Sequence, residues 1–287
     1  MGGPMALNLL KAGHQLTVHD IRRNMADAHI AGGAKWAATP ADAAHDAELV
    51  FTSLPGPKEV EAVAIGGENG IIHGMRAGTI YADLSTNSPT VIRRLQPLFA
   101  AKGITLLDAP VSGGIPGARS GTLSLMVGGD EAAYLKIKPA LAAIGDKLQY
   151  VGATGAGAVA KIVHNMLVFT TFAIFAEAFT LGVKAGADPE KLYTAVRNGA
   201  YGQNMMLALL PARVFPGHFD HPSATLAIGH KDIHLAAELA RELNVPAKIL
   251  ANVEQNLIEA LAHGLADQDF SVAFTVQEER AGVKIRT

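Results

Sequence analysis

The feature that most constrains this chain is a change of pattern near Gly152–Gly157. Before it, short β-rich runs alternate with amphipathic helical stretches, as in βα units that build a mostly parallel sheet. Candidate strands are Leu16–His19, Leu49–Ser53, Thr79–Asp83, Thr105–Leu107, Leu123–Val127 and Leu148–Val151. Helical stretches near Met5–Ala12, Lys58–Ala64, Pro89–Ala101 and Glu131–Ile144 separate them, each stopped by Gly, Pro or a short polar turn. After Gly157 the strands disappear, and apolar-periodic segments follow at Ala158–Ala185, Pro189–Arg197, Ala224–Glu242 and Ala247–Ala262. Pro189, Pro211, Pro216, Pro222 and Pro246 fall between them, where proline separates helices without breaking a ladder. The chain of 287 residues is long enough for two cores. The expected architecture is α/β, a Rossmann-like doubly wound domain over 1–152 followed by an all-α domain over 153–287.

Composition narrows the function. A net charge of -2 with scattered Lys and Arg leaves no basic surface for nucleic acid. With no cysteine, disulfides, thiolate metal sites and a Cys nucleophile are excluded, and a cytoplasmic location fits. The start lacks a basic segment leading into a long apolar one, so no signal peptide is expected. Met166–Val183 is apolar enough to raise the question of a membrane span, but Glu177 and three threonines interrupt it. A core helix, buried on most sides in a domain or subunit interface, is the expectation.

A dinucleotide fold needs a strand, a GxGxxG turn and a helix whose first amides meet the pyrophosphate. MGGPMALNLLKAGH (Met1–His14) has the form of the end of such a fingerprint, with Gly2 as its third glycine and Met5–Leu10 as helix. The preceding strand and two glycines are not in the sequence, which predicts a sheet lacking its first strand, weak cofactor binding or instability, and a start assigned too late. Asp20 ends the next strand, where a carboxylate accepts from the adenosine ribose hydroxyls and repels a 2′-phosphate. That favours NAD, while Arg22 and Arg23 just after it keep NADP in play. A helix N-cap is the other use for Asp20. Leu54 and Pro55, and Ser85 and Thr86, lie in loops after later strands, where a doubly wound sheet meets its ligand. Short hydroxyl residues after Asp83 also serve as ordinary local caps.

Two runs carry the chemistry: DAPVSGG (Asp108–Gly114), extended by ARSGTLSLMVGG (Ala118–Gly129), and GAGAVAKIVHN (Gly155–Asn165). With MGGPM at the start they resemble the signatures of the β-hydroxyacid dehydrogenases, the family of 3-hydroxyisobutyrate dehydrogenase and tartronate semialdehyde reductase. The similarity covers essentially the whole chain. It implies an oxidoreductase moving hydride between NAD(P) and a small 3-hydroxy acid, assembled as a homodimer or homotetramer through its helical half.

The residues support a physical reading beside that resemblance. Ser112, Gly113 and Gly114 form a loop whose backbone amides can converge on a carboxylate, although a plain turn would use the same residues. Gly157, Lys161 and Asn165 are spaced four apart and share a helix face, expected to look toward the nicotinamide. A lone lysine on an apolar helix by default snorkels to water. The resemblance instead assigns Lys161 to catalysis and Asn165 to holding the substrate. It also places Lys231, in HKDIHLA (His230–Ala236), near cofactor and substrate, with Asp232 completing a Lys-Asp pair. Asp269–Val272 resembles the family's closing Asp and Ser segment. His218, His221, His230 and His234 lie close together, and His230 and His234 have metal-ligand spacing. The glutamate of a zincin is missing, so no metal is expected. His164 points off the Lys161 face and is read as structural. Two alternatives compete with the dehydrogenase: an imine reductase, disfavoured by Lys161, and a nucleotide-binding relative impaired in catalysis.

Overall fold

The computed structural model describes residues 1–286 and divides into two compact units, Met1–Lys161 and Ile162–Thr287. The first runs α1 (Gly2–Lys11), β1 (Thr17–Val18), α2 (Asp27–Ala31), β2 (Lys35–Trp36), α3 (Pro40–Ala44), β3 (Leu49–Thr52), α4 (Pro57–Ile65), α5 (Ile71–Gly74) and β4 (Ile80–Asp83). It continues α6 (Pro89–Ala100), β5 (Thr105–Asp108), β6 (Val111–Ser112), α7 (Gly114–Ser120), β7 (Leu123–Gly128), α8 (Glu131–Ala142) and β8 (Gly145–Gly152). Proline at the first turn starts α3, α4 and α6. The Thr39, Ser88 and Asp130 side chains accept from first-turn amides of α3, α6 and α8, satisfying donors that helix starts leave open.

Strands β3, β4 and β5 pair in parallel, as the alternating pattern predicts. Strand β7 then runs antiparallel to β5 and β6 and parallel to β8. Side chains alternate across this sheet with period two. From β4 and β5, Tyr81 and Leu106 pack with Ile92, Leu95 and Phe99 of α6, whereas Ile80, Ala82 and Leu107 pack with Met5, Leu9, Tyr134 and Leu141 of α1 and α8. The central strands are therefore covered on both faces, the doubly wound arrangement. Strands β1 and β2 form a separate parallel pair. No ladder joins them to β3 among the described residues. The two-residue strands β2 and β6 are too short for periodicity to show.

The second unit carries most of α9 (Ala156–Lys184), then α10 (Pro189–Asn198), α11 (Leu226–Glu242), α12 (Lys248–Ala262) and α13 (Ala273–Ala281). Among the described residues no strand follows Gly152; Thr225 and Asp269 form an isolated bridge. Short 3-10 and π turns fill Ala200–Val214, where Pro211 interrupts regular helix. The aromatic core sets Phe172 of α9 edge-on to Phe270 and Phe274. Gly229 of α11 permits close approach, since a Cβ there would lie 2.9 Å from the Phe169 ring.

Helix α9 is only partly covered by its own chain. It is long and apolar enough to cross a membrane, but only 33% of its most apolar window is buried. Leu167, Ile174 and Leu181, seven residues apart, are 63%, 51% and 71% exposed. It is not buried on most sides by its own chain.

Candidate active site

In the first unit the loops after β3 and β4 are held by a buried carboxylate. Asp83 ends β4 and accepts from Thr52 Oγ1 at 2.8 Å, the Ser85 amide at 3.1 Å and Asn87 Nδ2 at 2.9 Å. Ser85 Oγ in turn accepts from the Leu54 amide at 2.9 Å. The Leu54–Pro55 and Ser85–Thr86 loops are thus locked together at the carboxyl ends of β3 and β4, and Ser85 is a local brace. Burial raises the Asp83 pKa, opposed by the hydroxyl and amide donors around it. Sequence reasoning missed this hub; its signal is the polar Thr52, Asp83, Ser85 and Asn87 at adjacent strand ends.

The residues fit a dinucleotide. Helix α1 begins at Gly2 with no side-chain cap, so its first amides have no side-chain acceptor. A Cβ on Gly2 would lie 3.4 Å from Ser53 Cβ, so a side chain there would crowd the loop after β3. Asp20 lies just past β1 and accepts from the Arg22 amide through Oδ1 at 2.8 Å, which leaves Oδ2 for a ribose hydroxyl. It caps no α-helix among the described residues. Both neighbouring arginines are engaged: Arg22 lies 4.0 Å from Asp20, and Arg23 pairs with Asp27 at 2.9 Å and stacks over Trp36.

Ser112 falls in β6, paired with Ser124, rather than in an open loop. Gly113 and Gly114 follow with φ of 130° and 62°, the positive values that a backbone nest demands and that glycine adopts without strain. Gly113 has a packing reason too, because a Cβ would meet Leu123 at 3.1 Å.

Lys161 and Asn165 are buried, at 8% and 6% exposure, so Lys161 does not snorkel to bulk water. In the second unit Asn165 Nδ2 donates to Asp232 Oδ2 at 2.6 Å, and Lys231 Nζ lies 2.8 Å from Asp232 Oδ1. Asp232 is itself buried, so the Lys-Asp pair is not a solvated helix face. An ionised carboxylate only accepts, so Asn165 must turn its NH2 toward Asp232 and keep Oδ1 for a donor.

The histidines have other partners. His234 Nδ1 contacts Glu254 at 2.7 Å and its Nε2 approaches Glu238 at 3.4 Å, while the His230 ring stacks on it at 6.0 Å. Among the described residues no three His, Asp or Glu groups are placed to hold a metal. Asp269 is fully buried and accepts from the amides and hydroxyls of Ser223 and Ser271, which makes the closing Asp and Ser segment a clasp.

The NAD binding domain of 6-phosphogluconate dehydrogenase matches residues 1–152, and the NAD-binding domain of NADP-dependent 3-hydroxyisobutyrate dehydrogenase matches 155–276. This chain belongs to the β-hydroxyacid dehydrogenase family. It is 38% identical to 2-(hydroxymethyl)glutarate dehydrogenase of Eubacterium barkeri over 99% of this chain and 94% of that one. It is 33% identical to 2-hydroxy-3-oxopropionate reductase of Escherichia coli, over 99% and 96%. The Mycobacterium tuberculosis 3-hydroxyisobutyrate dehydrogenase, solved with L-serine, superposes with a TM-score of 0.84 at 29% identity, covering 96% and 95%.

Proposed function

We propose that this chain interconverts a small 3-hydroxy acid and its aldehyde, with Lys161 handling the hydroxyl proton. The observation that carries the reading is the buried Lys161, one helical turn from an Asn165 whose orientation is fixed by Asp232. The names of the relatives share one chemistry. 3-Hydroxyisobutyrate, 2-(hydroxymethyl)glutarate and L-serine each carry a primary alcohol β to a carboxylate, and 2-hydroxy-3-oxopropionate is the aldehyde of such an acid. In the oxidation the alcohol carbon loses a hydride and its oxygen a proton, leaving an aldehyde. A nicotinamide cofactor, when bound, supplies the hydride acceptor.

Gly2, Asp20, Leu54, Pro55 and Thr86 are the residues we assign to holding that cofactor, with Lys231 beside it. Asp20 favours NAD over NADP. Ser112, Gly113 and Gly114 are assigned to the substrate carboxylate. Lys161 takes or relays the hydroxyl proton in oxidation and returns it in reduction. Asn165 Oδ1 accepts from a donor on the same face and so orients the reacting oxygen. Asp232 holds Asn165 and Lys231 and touches no substrate in this scheme.

We further propose assembly into a homodimer, the second copy covering the exposed Val163, Leu167, Ile174 and Leu181 stripe of α9. An apolar crevice lined by Phe172, Ala176, Leu257 and Phe274 lies beside it in the same unit.

The test is initial-rate spectrophotometry at 340 nm with NAD and NADP against 3-hydroxyisobutyrate, L-serine and 2-(hydroxymethyl)glutarate, and with the aldehyde acid in reverse. At least one substrate is turned over, and Lys161→Ala lowers kcat by about 100-fold or more, the usual range for a proton-transfer group. Folded protein that binds NAD and turns over none of them points to the impaired relative.

A further inference from the structure

The carboxylate of Asp108 joins the two motifs that carry the chemistry. Asp108 is the last residue of β5 and the first of the DAPVSGG run, yet its Oδ1 accepts from the Gly155 amide at 2.8 Å and its Oδ2 from the Ala158 amide at 2.7 Å. Those are donors at the start of α9, which helix geometry leaves without backbone partners. Asp108 is 1% exposed, and the structure makes room for it with two glycines. A Cβ on Gly128 would lie 2.7 Å from Asp108 Oδ1, and one on Gly157 would lie 2.3 Å from the Met126 carbonyl and 2.5 Å from that of Asp108. The first turn of α9 is therefore pressed against the ends of β5 and β7 and pinned there by both oxygens of one side chain. Lys161 follows three residues after the second pinned amide.

We infer that Asp108 is a positioning residue for the reaction, a clamp on the first turn of α9 that fixes the height and roll at which Lys161 leaves the helix. The inference rests on the reading of Lys161 as the proton-handling group. A bidentate acceptor suits this role, because one oxygen alone leaves the turn free to pivot and an apolar replacement leaves two buried amides unpaired. A misplacement of about 1 Å at a reacting group costs up to ~100-fold in rate.

The clamp is also sensitive to pH. Burial raises the Asp108 pKa to about 6, with the Gly155 and Ala158 amides lowering it and the nearby Asp83 charge raising it. The ionisable groups around it are Asp83 on the adjacent strand, Arg93 of α6, whose guanidinium reaches the Thr154 carbonyl at 3.5 Å, and Lys161 farther along α9. Protonation converts one accepting oxygen into a hydroxyl and weakens one arm of the clamp.

The test pairs Asp108→Asn with Lys161→Ala and the unaltered chain. Asp108→Asn is expected to lower kcat by about 10- to 100-fold with cofactor KM within ~2-fold, to lose the fall in kcat below about pH 6, and to speed amide exchange at Gly155 and Ala158. Exchange of the same two amides in the unaltered protein, followed from pH 7.5 to 5, needs no variant and is expected to lose protection as Asp108 protonates. Wild-type kcat in Asp108→Asn against an inactive Lys161→Ala overturns the clamp alone. So does a loss of kcat with unchanged exchange and an unchanged acid limb. Full turnover in Lys161→Ala overturns the reading of Lys161 itself.

Discussion

Replacing Asp232 by asparagine removes one charge and almost no volume, and the structure fixes what must follow. Asp232 now accepts from Asn165 Nδ2 at 2.6 Å through Oδ2 and forms an ion pair with Lys231, whose Nζ lies 2.8 Å from Oδ1. The new amide has one accepting oxygen and one donating nitrogen. If its oxygen stays with Lys231, its nitrogen faces the Asn165 NH2, and Asn165 has to flip and offer Oδ1 inward. The stability cost is then the exchange of a charge-assisted hydrogen bond for a neutral one, about 1–2 kcal/mol. It falls below the ~3–5 kcal/mol of a broken buried pair, because the Lys231 side chain is 26% exposed and water screens part of the loss. For a chain of this size that lowers Tm by roughly 2–4 °C. Activity suffers more, since a flipped Asn165 presents NH2 where the reading requires an acceptor, and kcat is expected to fall by about 10- to 100-fold. Thermal and urea denaturation of Asp232→Asn, Lys231→Met and the double variant, with kcat for each, measures both effects. Lys231→Met should absorb much of the stability loss of Asp232→Asn, giving a coupling of about 1 kcal/mol or more. Additive losses together with unchanged kcat in Asp232→Asn would refute the bridge.

Further outcomes follow from other parts of the chain. Asp20→Ala removes the ribose acceptor and the repulsion of a 2′-phosphate, so the NAD to NADP ratio of kcat/KM should fall by about 10-fold or more; an unchanged ratio would remove Asp20 from the cofactor set. Because Asp108 titrates near 6 when folded against 3.8 as an ordinary carboxyl, the folded state binds its proton more tightly. Its contribution is therefore fully present below about pH 3.8 and declines as pH rises to about 6, by roughly 3 kcal/mol in all, so urea titrations at pH 4.5 and 7 should show Asp108→Asn losing less stability at pH 7. Leu167→Glu with Leu181→Glu puts two charges on the exposed stripe of α9; light scattering should find a smaller assembly than the parent chain, and an unchanged mass would place the interface elsewhere.

The elements that periodicity could reach were legible. Helices α10 to α12 carry enough turns for an apolar stripe to stand out, α9 is a long run apolar nearly all round, and β3, β4, β5 and β7 are short, mostly apolar runs bounded by turn residues. What stayed hidden was short or long-range. Strands β2 and β6 are two residues each, and the antiparallel placement of β7 beside β5 depends on how a turn closes, which no local pattern records. What covers α9 was not legible either, because apolar content does not say whether the chain itself or a second copy supplies the covering surface.

The site shows the same division more sharply. Lys161 and Asn165 are visible as a four-residue spacing on one helix, whereas the bonds that orient them are separated along the chain. Asn165 is fixed by Asp232, 67 residues later, and the first turn of α9 by Asp108, up to 50 residues earlier. Both anchors lie in runs that the sequence had already marked, Asp232 next to Lys231 and Asp108 at the head of the run that contains Ser112, but their bonds to α9 are not visible in those runs. The glycines confirm the logic from the opposite side. Gly157 appears in sequence only as a member of the Lys161 face, but its Cα lies so close to the Met126 and Asp108 carbonyls that even a methyl group cannot be admitted. A substitution to alanine there has to lift α9 off the sheet end, so its penalty should register in the position of Lys161 before it registers in the fold.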